Sequence, residues 1–371
     1  MKSALVVHDD FNGGGGSERL AVITIEALNE LEFEVDIATI TNPHLDSLQD
    51  KFGHGMDLRI HDIKSLQIEV SHSVIKNIVC PLIDENDYDL IINTHGDLLL
   101  YYNESSSKKI SKITYCHYPL LPHLVNSREY VNFLNQFTDC TQYIFPNAVE
   151  LYKQMMLNTK VLTNSNYSKM AIEQMYSGVK PVLLYPPVDV ETFQQVNSKD
   201  KRENNILVVS RFSPDKQITR SIHIAKLLRD KKIGNMMIIV GNVSSKDNFN
   251  YLYELVDLIE KYQLDDYVKL KFNVPLQELL DIMKTCKVYL HPLMGEPFGI
   301  SIAEAMAAGL TAVVPNVGGS TEFVPSQYQY GTYEQAADII TKSMKEEIDM
   351  SDLVCKFSTQ TYKDSLKAMI K

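Results

Sequence analysis

The sequence predicts an α/β fold of two doubly wound, parallel-sheet domains in tandem, and three features predict it. Short apolar runs alternate with amphipathic stretches along most of the chain. The alternation breaks once, at the doubled proline Pro186-Pro187 and the polar, aperiodic run 196–205. At 371 residues the chain also exceeds one ordinary core. Domains are therefore expected over 1–187 and 188–350, with a last helix over 351–371.

In the first domain, 3–8 reads as an apolar strand, 13–16 as a glycine turn and 18–31 as a helix with Leu20, Ile23, Ala27 and Leu31 on one face. A strand over 34–40 completes a β-loop-α-β unit, whose handedness rule favours a parallel sheet. Further strands are expected over 88–94, 112–117, 143–145 and 161–164, and a helix over 168–176 behind a serine cap. The second domain alternates in the same way. Strands are expected over 205–210, 236–241, 268–272, 287–292 and 311–315, and helices over 219–230, 250–262, 275–285 and 300–308. Two such domains in tandem put a central cleft at the carboxyl ends of their strands, where ligands are expected.

Hydrophobic content of 44% and charged content of 22% are those of a soluble globular chain. No run approaches the roughly 18 apolar residues of a membrane span, and Met1 to His8 leads straight into Asp9-Asp10 without a signal-peptide cleavage site. A cytoplasmic protein is the expectation. Five scattered cysteines, with no Cys-x-x-Cys pair, suggest neither a disulfide framework nor a zinc site. A net charge of −11 argues against nucleic acid. The acidic excess is 9 in residues 1–185 and 2 in residues 186–371, so the second half better receives an anionic ligand.

The chemistry concentrates after the second-domain strands. Glu296-Pro-Phe-Gly-Ile-Ser-Ile-Ala-Glu304 sets two carboxylates around a loop and a helix start, and the helix that follows is too apolar for a surface helix. The amides at Gly299, Ile300 and Ser301, with the helix dipole, suit a diphosphate. Glu296 would face what the diphosphate carries, and Glu304, a turn further on, would reach a ribose, because carboxylates accept strongly from hydroxyls. Arg211 and Lys216, in Ser210-Arg-Phe-Ser-Pro-Asp-Lys216, follow the first strand of that domain and would neutralise a departing diphosphate without a metal.

The first domain offers weaker signals. Gly13-Gly-Gly-Gly-Ser-Glu-Arg19 lacks the third small residue of a dinucleotide fingerprint, leaving Gly15 and Gly16 either as a plain tight turn or as a backbone surface for a phosphate or sugar. His117, in Tyr115-Cys-His-Tyr-Pro119, ends a strand and is either a structural residue or a contact to the reacting sugar. Asp87-Tyr-Asp89 imitates a metal-binding Asp-x-Asp but has no accompanying ligands, and reads as the polar approach to a strand. Lys108, Lys109, Lys112 and the apolar loop 119–125 are either ordinary solvated loops or a peripheral membrane surface for a lipid-phosphate acceptor.

Together these residues resemble the GT-B glycosyltransferases of family 4. Gly15-Gly-Ser-Glu-Arg19 is similar to the family's glycine loop, Thr163-Asn164-Ser165 and Tyr185-Pro-Pro-Val-Asp189 to its landmarks before the linker, and Arg211 with Lys216 to its diphosphate pair. Glu296 and Glu304 resemble its paired glutamates, and Gly318-Gly-Ser-Thr-Glu322 its closing glycine turn. Ser17 stands where alanine is usual, and Gln217 where glycine commonly follows the lysine.

The resemblance implies a GT-B fold: two Rossmann-like doubly wound domains facing a central cleft, closed by a hinge at Pro186-Pro187, with the last helix crossing back to the first. It implies a retaining hexosyltransferase using a nucleotide sugar and no metal or other cofactor. Arg211, Lys216, Gly299 and Ile300 would take the diphosphate, Glu296 with the Phe298 loop and His117 the sugar, Glu304 the ribose, and Asn273 and Val274 the base. Tyr115-Cys-His-Tyr-Pro119 is most similar to the mannosyltransferases that build dolichol-linked oligosaccharides, implying GDP-mannose as donor and a glycan or lipid-linked glycan as acceptor. The alternatives are a UDP-sugar-dependent glucosyl- or N-acetylglucosaminyltransferase of the same fold, a sucrose- or trehalose-phosphate-synthase type, and a non-catalytic carbohydrate-binding subunit.

Overall fold

The computed structural model describes residues 2–8, 10–39, 43, 65–67, 88–96, 110–119, 153–197, 202–243, 245–346 and 348–370. The chain divides into two compact units, one of Met1–Pro187 with Gln360–Lys371 and the other of Val188–Thr359. The expected strand over 143–145, together with Asp87, Lys108, Lys109 and the loop from residue 120 to 125, lies outside the described residues.

Unit 1 holds the strands β1 (Lys2–Val7), β2 (Phe33–Thr39), β3 (Ser65–Gln67), β4 (Leu90–Asn93), β5 (Ser111–Cys116), β6 (Lys160–Thr163) and β7 (Val182–Leu183). They form one parallel sheet in the order β3-β2-β1-β4-β5-β6-β7. Ala4 to Val7 and Leu90 to Asn93 are buried throughout, as in a parallel sheet covered on both faces. Helix α1 (Gly16–Asn29) buries every residue from Leu20 to Leu28. Helix α2 (Asn166–Met175) starts earlier than its sequence suggests: the cap is Ser165, whose hydroxyl accepts from the Ser168 amide at 3.0 Å.

Unit 2 holds α3 (Val190–Gln194), β8 (Asn205–Val209), α4 (Thr219–Asp230), β9 (Met236–Gly241), α5 (Lys246–Lys261), β10 (Val268–Phe272), α6 (Leu276–Thr285), β11 (Cys286–Leu290), α7 (Ile300–Ala307), β12 (Thr311–Pro315), β13 (Gln329–Tyr330) and α8 (Tyr333–Ser343). Its sheet is parallel, in the order β10-β9-β8-β11-β12-β13. Both sheets reverse their winding beside their first strand, at β1/β4 and at β8/β11. This is the strand order of a Rossmann-like doubly wound domain, whose ligand crevice opens at the carboxyl ends flanking the reversal. Helix α5 gains a turn over its expected start because Ser245 and Asn248 form a reciprocal capping box ahead of it.

The tail differs from the single helix expected over 351–370. Residues Ser351–Phe357 form a 3₁₀ stretch belonging to unit 2, and the α-helix proper, α9 (Thr359–Ile370), begins after an extended Ser358. The break arises where the Phe357 carbonyl accepts from the Val188 amide at 2.9 Å and the Phe357 ring is buried against Phe298 and Phe323. Leu353, on the 3₁₀ stretch, is exposed. From Gln360 onward the tail belongs to unit 1. The Tyr362 hydroxyl meets Thr24 Oγ1 at 2.8 Å, and Lys363 reaches Glu30 at 2.6 Å and Glu26 at 3.6 Å. Lys367 also reaches Glu30 at 2.6 Å. Burial raises the Glu30 carboxyl, but the two lysines outweigh it and hold the group below its ordinary value. Burying Leu366 adds about 1.5 to 3 kcal/mol to the docking of α9.

Candidate functional site

In unit 2 the carboxyl ends of β8 and β11 carry the charged residues that the sequence singles out. After β8 the chain forms a 3₁₀ turn, Pro214–Lys216, and after β11 it forms the loop from His291 to Phe298 before α7. Lys216 Nζ lies 3.6 Å from Glu296 Oε2, and the side chains are only 27% and 15% exposed. On the other side of the carboxylate, His291 Nε2 stands 3.3 Å from the same oxygen. Burial pushes the Glu296 carboxyl up, but hydrogen bonding from His291 and the Lys216 charge more than offset it and bring it down to about 2. Glu296 is therefore a carboxylate at any ordinary pH. It accepts hydrogen bonds strongly and has no proton to give a leaving group.

The loop holding Glu296 is fixed through its backbone. Gly295 N donates to Val317 O at 3.0 Å, and Gly319 N donates to Glu296 O at 2.8 Å. Gly318 makes this clasp possible. Its φ is +128°, and a Cβ there would sit 2.7 Å from the Glu296 carbonyl oxygen. Gly299 caps α7 with φ +96° and offers no side chain, so no side-chain cap covers the Ile300 and Ser301 amides. A buried helix start with a lysine and a fixed carboxylate nearby can receive an anionic group and, beside it, a group rich in hydroxyls.

Beneath the site lies a network that the sequence reading missed. His291 is 3% exposed, and its Nδ1 lies 3.3 Å from the Tyr289 hydroxyl. That hydroxyl in turn lies 2.9 Å from Ser301 Oγ in the first turn of α7. Burial raises the Tyr289 phenol well above its ordinary value, and the charges of Glu296 and Glu304 raise it further despite the Ser301 contact. The signal for His291 was available, since it follows a strand's carboxyl end just as His117 does.

The remaining expected residues are distributed as follows. Arg211 is exposed, its Nε 3.4 Å from Ser213 Oγ and its guanidinium 3.5 Å from Asp215. Asn273 follows β10 with φ +53°, and its side chain is engaged by Val243, accepting from that amide at 2.8 Å and donating to that carbonyl at 3.0 Å. Its amide donates to the Gly241 carbonyl at 2.9 Å, so its own carbonyl and the backbone of Val274 remain for a ligand. Phe298 turns its ring away from solvent. Its ring is 2% exposed and packs 5.2 Å from Phe323 and 5.0 Å from Phe357, because an apolar ring gains more in the core than beside a sugar. Glu304 is partly buried one turn into α7.

In unit 1, His117 Nε2 donates to the Thr94 carbonyl at 3.1 Å. His8, after β1, places Nδ1 3.0 Å from Thr94 Oγ1, and the His95 ring lies 5.5 Å from that of His8. Three histidines thus line the carboxyl ends of the adjacent strands β1, β4 and β5, of which the sequence reading noticed one. Gly15 caps α1, and its amide donates to the Glu18 carboxylate at 2.9 Å, so Glu18 already occupies the anion position of that helix start. Asp89 accepts from the Ser3 amide at 3.0 Å, a structural contact at the start of β4. Among the described residues no group of three or more His, Cys, Asp or Glu is arranged to hold a metal ion, and no helix is long and apolar enough to cross a membrane.

Residues 189–363 match the model of the group 1 glycosyl transferases. The human GDP-Man:Man(3)GlcNAc(2)-PP-Dol alpha-1,2-mannosyltransferase is 31% identical over 168 residues, covering 43% of this chain and 34% of that protein. The mouse protein of the same name is 27% identical over 227 residues, covering 54% and 46%. The chain thus spans about a third to a half of the length of these curated relatives. The crystal structure of Anabaena Alr3699/HepE in complex with UDP and glucose superposes with a TM-score of 0.71 at 16% identity, covering 100% of this chain and 99% of that one, a likeness of fold.

Proposed function

We propose, from the match of residues 189–363 to the group 1 glycosyl transferases, that the protein is a retaining hexosyltransferase that moves a mannosyl group from GDP-mannose to a glycan, most naturally a lipid-linked one. The observation that carries the reading is the Lys216–Glu296–His291 arrangement beside the uncapped start of α7. The leaving diphosphate is taken by Lys216, Arg211 and the amides near Gly299 and Ile300, which stabilise charge as the bond breaks without a metal. Glu296 accepts from the sugar hydroxyls, Glu304 from the ribose, and the backbone near Asn273 and Val274 meets the base. His117 contacts the acceptor or the transferred sugar.

Glu296, with its carboxyl held down at about 2, is a poor base, so the acceptor hydroxyl gives its proton elsewhere. In the proposed course it passes to the departing phosphate oxygen as attack occurs on the same face of the sugar, so the anomeric configuration is kept and the protein supplies position and charge. The choice of mannose and of a dolichol-type acceptor is supported by the names of the human and mouse relatives. A lipid-linked acceptor would bring the chain to the cytoplasmic face of a membrane as a peripheral protein.

The test is a panel of GDP-mannose, UDP-glucose, UDP-N-acetylglucosamine and ADP-glucose with a lipid-linked glycan acceptor, read as product formed and as thermal stabilisation by GDP, UDP and ADP. Transfer from GDP-mannose with stabilisation by GDP is expected. Preference for a UDP-sugar would move the protein to another member of the fold, and glycan binding without transfer from any donor would make it a binding subunit.

A further inference from the structure

Besides its two bonds to the 317–319 turn, the loop that carries Glu296 has a third fixing point, and this one is a side chain. Met294 N donates to Gln217 Oε1 at 3.3 Å. Gln217 follows Lys216 directly and ends the 3₁₀ turn, its amide donating to Pro214 O at 3.0 Å. Its backbone is left-handed, with φ +52° and ψ +34°, a conformation that glycine adopts freely and glutamine does not. A strained backbone held at a charged site calls for a use of the side chain that a glycine lacks.

We propose that Gln217 is a positioning residue that ties the turn bearing Lys216 to the loop bearing Glu296, and so sets the 3.6 Å separation of that pair. Lysine is a point charge on a flexible stem, so its own ion pair with Glu296 does little to fix the two backbones relative to each other. The Gln217 amide reaches the backbone two residues before Glu296. Lys216 is thereby anchored one residue upstream of a tether and Glu296 two residues downstream of its far end. The pair is preset before any ligand arrives, which lowers the ordering required when the diphosphate and the sugar bind together. This inference rests on the proposed function in that both side chains act on one nucleotide sugar.

The test uses the full chain with Gln217→Gly, Gln217→Met and Gln217→Glu. Glycine relieves the backbone and removes the side chain, methionine keeps the bulk without an acceptor, and glutamate keeps an oxygen in place. Hydrogen exchange at the Met294 amide should accelerate about tenfold in the glycine and methionine variants and stay slow in the glutamate variant. In those two variants kcat should fall about tenfold or more with KM changed less than about twofold. The Gln217→Gly melting temperature should stay within about 2 °C of the parent, because relief of the left-handed strain offsets the lost bond and the greater freedom of glycine in the unfolded chain.

Unchanged Met294 exchange in Gln217→Met overturns the tether. Parent kcat in Gln217→Gly, or activity lost only in step with melting temperature, overturns its positioning role. A parent chain that transfers from no nucleotide sugar defeats the functional reading instead, and the exchange measurement still decides the tether.

Discussion

Tyr289 and His291 leave the carboxyl end of β11 on the same side, with their rings stacked at 6.2 Å and the phenol reaching both His291 Nδ1 and Ser301 Oγ. A single hydroxyl therefore connects the residue 3.3 Å from Glu296 with the helix start proposed to hold a diphosphate. Disturbing one side of that connection should be felt on the other.

The first prediction concerns His291. His291→Ala leaves the carboxylate with Lys216 as its remaining charged partner, and turnover should drop about tenfold to a hundredfold, the usual worth of a hydrogen bond to a charged group. The Glu296 carboxyl should rise from about 2 toward the ordinary range, moving the acid limb of the pH–rate profile upward. His291→Gln, which can still donate from a similar position, should recover part of both. An acid limb that stays in place in the alanine variant counts against His291 as the donor.

Glu296 should also leave a mark on stability. Its folded-state pKa is depressed, from 4.5 to about 2, so the stability it contributes is present above pH 4.5 and is lost as pH falls toward 2. The difference in unfolding free energy between the parent and Glu296→Gln should narrow across that window, in denaturant titrations run at several pH values. A difference that stays constant from pH 6 to pH 2.5 would remove the assignment.

Lys216 and Arg211 are expected to act on the transition state more than on binding. Lys216→Ala should lower kcat by about 2.7 to 4 kcal/mol while the donor dissociation constant changes far less. Arg211→Ala should have the smaller effect, because its side chain is 57% exposed and already faces Asp215. Single-turnover rates and calorimetric affinities on the same preparations separate the two quantities. Equal losses in rate and affinity would make these residues simple anchors.

The two glutamates should divide their work. Glu304→Gln should weaken binding of free GDP about tenfold to a hundredfold, whereas Glu296→Gln should leave that binding nearly intact and cripple transfer. Calorimetric titration of both variants with GDP decides the point, and equal losses of affinity would refute the division.

What was legible in the sequence follows from range. The β9, β10 and β12 runs could be bounded to the residue, since apolar side chains stop abruptly at Gly241, Phe272 and Pro315. Helix starts were misjudged where a serine cap stood upstream of the apolar stripe, as at Ser165 and Ser245. Glu296 stood out as a carboxylate before an apolar helix, and Lys216 as a charge in the loop after the first strand of its domain. Tyr289, His291 and Ser301 did not, because two read as strand core and the third as a helix residue. The loop between His291 and Glu296, with Gly295 at φ +78°, brings the two side chains to 3.3 Å from each other. The use of Gln217 was likewise hidden, since its partner is a backbone amide 77 residues away.

The return of α9 to unit 1 makes unit 2 an insertion within unit 1, with a consequence for synthesis. As the chain emerges from the ribosome, unit 2 is complete once Thr359 has appeared, whereas unit 1 still awaits the helix that covers Thr24 and neutralises Glu26 and Glu30. The unit begun first is finished last. A chain ending at Thr359 should resist protease in unit 2 and be cut within α1, and adding residues 360–371 should close that window.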